Sequence, residues 1–182
     1  NITNLNIISS LTRGTLTAEF EELTFSQLQG IRRIDSLTGA SVHNITMCIT
    51  DEVTSLTAIT ARTQSRVDVS KIKGDVAFIA NNLNKINLTS GKSSITITEE
   101  LTTTAAQGVY DTYKDSVVEV KFEKITGTLS NINTLNSNGK LSLVGSTLNL
   151  EAVSLSNLTK ANLETALNLT KNQAQTISGN VK

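Results

Sequence analysis

The chain has 182 residues, enough to bury a sizeable core, and its 16 basic and 16 acidic residues cancel. With no basic grouping denser than Arg32-Arg33, the composition argues against a nucleic-acid surface, which needs clustered Lys and Arg to displace counterions from phosphates. A single cysteine, Cys48, excludes an internal disulfide and a Cys-based zinc site, and no run approaches the ~18 apolar residues of a membrane span.

Proline is absent, where ordinary usage would give roughly nine. Aromatic residues make up 3% of the chain, while Ser, Thr and Asn abound. Such a composition suits thin stacked layers better than a bulky core. Disorder is the wrong reading, because the apolar 38% is placed periodically.

In chain order, Asn4-Leu5-Asn6-Ile7-Ile8 reads as a strand. Glu21-Glu22-Leu23-Thr24 is the first of two recurring landmarks: an acidic pair, an aliphatic residue, a hydroxyl. It returns as Asp51-Glu52-Val53-Thr54, as Glu99-Glu100-Leu101-Thr102 and, more loosely, as Glu151-Ala152-Val153-Ser154. The second landmark is an aliphatic residue, any residue, then glycine, ending at Gly39, Gly74, Gly127 and Gly179. Those glycines are 35, 53 and 52 residues apart. The two landmarks alternate along the chain.

Ahead of the acidic landmark the apolar period is two. Met47-Cys48-Ile49-Thr50 and Ile95-Thr96-Ile97-Thr98 predict strands, and Leu148-Asn149-Leu150 a shorter one. After it, Leu101, Ala105, Val109 and Tyr113 predict one face of a helix. A second strand follows, at Val67-Asp68-Val69 and at Val118-Glu119-Val120-Lys121-Phe122, with a weak fourth-copy version over Asn172 to Gln175. Glycine then allows a sharp turn. Asp75, Thr128 and Asn180 stand where a helix N-cap would accept from free backbone N–H groups. Val76, Ile79, Ala80 and Leu83 have helical spacing behind Asp75, and Leu129, Ile132 and Leu135 behind Thr128.

One unit therefore reads strand, helix, strand, glycine turn, helix. Neither helix could bury its stripe alone, so stacking predicts an α/β solenoid. The alternative is a compact, non-solenoid α/β domain born of internal duplication. The approximate units are a short 1–43, then 44–91, 92–139 and an incomplete 140–182. The abrupt start and the stop just after Gly179-Asn180 lead us to expect end layers covered by more of the same chain or by another copy.

Ile95 through Gln107, followed by Lys124-Ile125-Thr126-Gly127-Thr128-Leu129, resembles the repeats of about fifty residues found in very large bacterial, often cyanobacterial, secreted and cell-surface proteins. The resemblance covers residues 44–182 and is compositional; this chain is richer in Lys and Asn and poorer in Ala. It implies an extracellular or cell-surface location, a structural or adhesive role, and no catalytic residues.

Candidate chemistry is sparse. His43 and Cys48 could form a nucleophile pair only by meeting in space, and Cys48 alternates like a buried strand residue, where a thiol is inert. Glu21, Glu22, Asp51, Glu52, Glu99 and Glu100 would align in a solenoid as a ladder that calcium could bridge. The plainer reading has them mark strand ends and favour the next helices' N-termini through the dipole. Phosphate loops, Gly-x-Ser-x-Gly and His-Glu-x-x-His are absent, and the Asn-x-Ser/Thr sequons occur about as often as chance would place them. No catalytic residue and no cofactor are expected. The function expected is self-assembly or spacing as an S-layer, filament or adhesin-stalk component. A phage-fibre or carbohydrate-binding module is the other class, with Tyr110 and Tyr113 its only stacking candidates.

Overall fold

A computed structural model describes residues 2–11, 16–31, 43–62, 66–153 and 176–181. In chain order these form α1 (Ile2–Leu11), β1 (Leu16–Leu23), α2 (Phe25–Gly30), β2 (His43–Val53), α3 (Thr57–Thr60), β3 (Val67–Gly74) and α4 (Val76–Asn82). Then come β4 (Ile86–Leu88), β5 (Ser94–Thr102), α5 (Thr103–Tyr113), β6 (Glu119–Gly127) and α6 (Leu129–Asn136). The described chain closes with β7 (Leu141–Ser142), β8 (Thr147–Val153) and β9 (Thr176–Val181).

The protein is a mixed α/β structure built on an open parallel sheet, ordered β1-β2-β3-β5-β6-β8-β9, with β4 branching from β3 and β7 from β6. Every pairing among the described strands is parallel. Parallel neighbours cannot be joined by a hairpin, and helices supply most of the described crossovers. Alternation aims one side chain in two at the core: Val67 and Val69, Ile95 and Ile97, Val120 and Phe122 are each at most 1% exposed. The phase then slips. Ile72 and Ile125, three residues past Val69 and Phe122, are also buried, because the register shifts beside each of these strands.

The pairing pattern recurs in the middle of the sheet. Ile49 faces Val69 and Val53 faces Ile72, just as Ile97 faces Phe122 and Leu101 faces Ile125. Ile72 faces Ile95 as Ile125 faces Leu148. At β9 it changes: Leu148 faces Ile177, whereas Ile95 faces Val120.

Several sequence expectations need correction. Residues 4–8 are helical within α1 and not a strand: Leu5 packs into the core, and the Asn6 carboxamide donates to the carbonyl of Gly30 at 2.8 Å. Helix α5 starts at Thr103, because Leu101 and Thr102 still pair with Ile125 and Thr126. That late start turns the buried face onto Thr103, Ala106, Tyr110 and Tyr113 and leaves Ala105 exposed. Ala80 is likewise exposed on α4. Gly179 and Asn180 do not open a helix. They are strand residues of β9, because pairing with β8 continues past the glycine to Val153 and Val181. Gly39 and the weak strand expected over 172–175 lie outside the described residues.

Candidate functional site

Gly74 and Gly127 are the last residues of β3 and β6, each directly before a helix N-cap. Asp75 accepts from the Phe78 N–H at 2.6 Å, and Thr128 from the Asn131 N–H at 3.2 Å. The glycines serve close approach and not an unusual dihedral. A Cβ on Gly127 would lie 2.7 Å from Thr103 Cγ2, and one on Gly74 would overlap the Phe78 ring. Among the described residues the glycines with positive φ are Gly91 (84°) and Gly145 (71°), between β4 and β5 and between β7 and β8. The repeat reading passed over this pair of turns.

The acidic landmark has two separate jobs. Its hydroxyl caps the following helix in two copies: Thr24 accepts from Gln27 N–H in a reciprocal capping box, and Thr102 accepts from Ala105 N–H. In the copy at Asp51-Glu52-Val53-Thr54 the helix starts later, and Leu56 is the N-cap without a side-chain bond. Two of the carboxylates, Asp51 and Glu99, reach backwards and not to the next helix. Asp51 on β2 accepts from the Phe25 N–H at 2.5 Å, at the start of α2 behind the neighbouring strand β1. Glu99 on β5 accepts from the Val76 N–H at 2.7 Å, at the start of α4 behind β3. Both strands continue alongside the helix start where the previous strand has ended, which puts the acid over the free N–H groups.

Glu100 accepts from the Thr126 hydroxyl and, at 2.5 Å, from the Asn149 carboxamide, whose oxygen accepts from the Ser178 hydroxyl. The result is a hydrogen-bonded row across β5, β6, β8 and β9. The Thr126 and Asn149 donors hold the Glu100 carboxyl below the ordinary carboxylate range. On the same sheet Lys73 forms an ion pair with Glu123 at 2.7 Å, which raises its pKa, with a smaller contribution from Glu52. Glu21 and Glu22 are exposed on β1. The six acidic residues thus have individual surroundings. Among the described residues no group of three or more His, Cys, Asp and Glu side chains is placed to hold a metal ion.

Directly ahead of β5 and β8 lie two fully buried hydroxyls that sequence reading missed. Ser93 and Ser146 are both 0% exposed. Ser93 donates to the Val69 carbonyl at 2.6 Å and accepts from the Thr89 N–H at 2.8 Å; Ser146 donates to the Phe122 carbonyl. The available signal was the motif glycine, then serine one or two residues on, ahead of a strand.

Cys48 is half-buried, its Sγ 3.5 Å from the Ser70 hydroxyl, and His43 opens the same strand, β2. Tyr110 and Tyr113 are buried at 8% and 6% exposure, and burial raises the Tyr113 pKa. An open cleft of about 290 Å³ runs between α5 and α6, lined by Thr103, Thr104, Gln107, Asn131, Thr134 and Leu135. No helix among the described residues is long and apolar enough to cross a membrane. Compared with protein-family models, curated proteins and solved structures, the chain matches none.

Proposed function

We propose that the chain is a structural repeat segment of an extracellular bacterial surface protein, of the S-layer, filament or adhesin-stalk kind, whose layers stack as a solenoid. It acts by spacing or by self-assembly with adjacent repeats or other copies, without a cofactor and without catalysis. The observation that carries this reading is one buried contact repeated at a fixed interval. Ser93 to Val69 and Ser146 to Phe122 span the same 24 residues, and the second pair lies 53 residues beyond the first. A buried polar bond is costly to leave unmade, so its repetition at a fixed interval supports equivalent layers over a coincidence of composition. The recurring register from β2 to β8 supports the same layering.

A repeat of this kind has a mechanical use. Each layer extends reach, and hydroxyl- and amide-rich outer faces stay wet without strong net charge. The competing class, a glycan-binding module, loses support because both candidate stacking tyrosines are buried. Sedimentation of residues 1–182 at micromolar concentration, with electron microscopy of the same sample, tests the reading. Concentration-dependent filaments or lattices are expected. A stable monomer that binds defined sugars on a glycan array would replace it with the binding module.

A further inference from the structure

We propose that Asp51 and Glu99 are interlayer latches: each carboxylate, carried by one strand, holds the first turn of the helix that follows the preceding strand. The two contacts are independent copies of one geometry. Asp51 Oδ2 receives the Phe25 N–H at 2.5 Å across 26 residues, and Glu99 Oε1 receives the Val76 N–H at 2.7 Å across 23. Both are partly buried, and both involve an ionisable acceptor on a backbone donor that no turn of its own helix can satisfy.

The local caps leave these donors free. Thr24 and Asp75 serve the N–H groups of Gln27 and Phe78, two residues further along. Among the described residues, the first N–H of α2 is therefore secured only from β2 and that of α4 only from β5. Helices of six and seven residues are too short to persist on intrinsic propensity and depend on tertiary contacts. The consequence is directional coupling. α4 is fully held only when β5 lies beside β3, and α2 only when β2 lies beside β1. A layer thus tightens the one before it. This is a property of the fold and stands apart from the surface-protein reading.

Native-state hydrogen exchange on the full chain tests the latch through Glu99→Gln and Glu99→Ala. Exchange at the Val76 amide and the first turn of α4 should quicken by roughly ten- to hundredfold in Glu99→Ala, the scale of a lost bond to a charged acceptor. Glu99→Gln keeps an acceptor without the charge and should show a smaller rise. The Ile95 and Ile97 amides of β5 should keep wild-type rates in both. Unchanged exchange in α4, or a rise shared equally by α4 and β5, would overturn the proposal. Should Glu99→Ala fail to fold, the Glu99→Gln comparison decides by the same criterion.

Discussion

Replacing Gly127 with Ala isolates the reason for a glycine at the end of β6. The residue is buried and its φ is not positive, so the backbone accepts alanine. Restricting the unfolded chain would by itself stabilise the protein by about 0.4–1 kcal/mol. Opposing this, the new methyl would lie 2.7 Å from Cγ2 and 3.1 Å from Oγ1 of Thr103, itself only 8% exposed at the first turn of α5. Overpacking of this kind costs roughly 1–3 kcal/mol. The net loss should be about 1–2 kcal/mol, or roughly 2–8 °C in Tm for a chain of this size. Thr103→Ala removes both close atoms and leaves Cβ at 3.5 Å, an ordinary contact. In that background Gly127→Ala should be neutral or mildly stabilising. Urea denaturation of the four proteins of this cycle gives the coupling from midpoints at constant m. An equal loss from Gly127→Ala in both backgrounds would refute the packing account, as would a gain in the wild type. Gly74→Ala provides the contrast. Its clash is with the ring of the half-buried Phe78, which can swing away, so the cost should be smaller.

Thr128→Ala should destabilise by about 0.5–2 kcal/mol, measured by denaturant melts, because Asn131 N–H loses its acceptor. Ser93→Ala should cost more than Ser146→Ala, on the order of 1–3 kcal/mol, since it strands the Val69 carbonyl and the Thr89 N–H together; equal losses would show that the second bond is idle. Glu100 has a folded-state pKa below its unfolded one, so its contribution is complete above the ordinary carboxylate value of 4.5 and vanishes as pH falls through the depressed value. Wild type and Glu100→Gln should therefore melt further apart at neutral pH than in acid, and a gap independent of pH contradicts that linkage. Addition of EDTA should leave Tm unchanged, and a fall of about ten degrees would reinstate calcium at the acidic pairs.

The sequence by itself determined the elements whose signals are local. Alternation in Ile95-Thr96-Ile97 and Val120-Lys121-Phe122 set strands with a defined inner face, and Asp75 and Thr128 set helix starts, since a cap satisfies donors only two or three residues away. Tertiary structure decided everything that depends on which strand lies alongside. The Asn4–Ile8 stretch is helical because Leu5 and Asn6 find partners around α2, a choice its own pattern could not make. The buried face of α5 rotated because β5 keeps pairing with β6 through Thr102. Asp51 and Glu99 look like ordinary strand-end acids. Their partners stand 26 and 23 residues earlier, a distance no local periodicity encodes, and only the parallel register of neighbouring strands brings each carboxylate to the free N–H it holds.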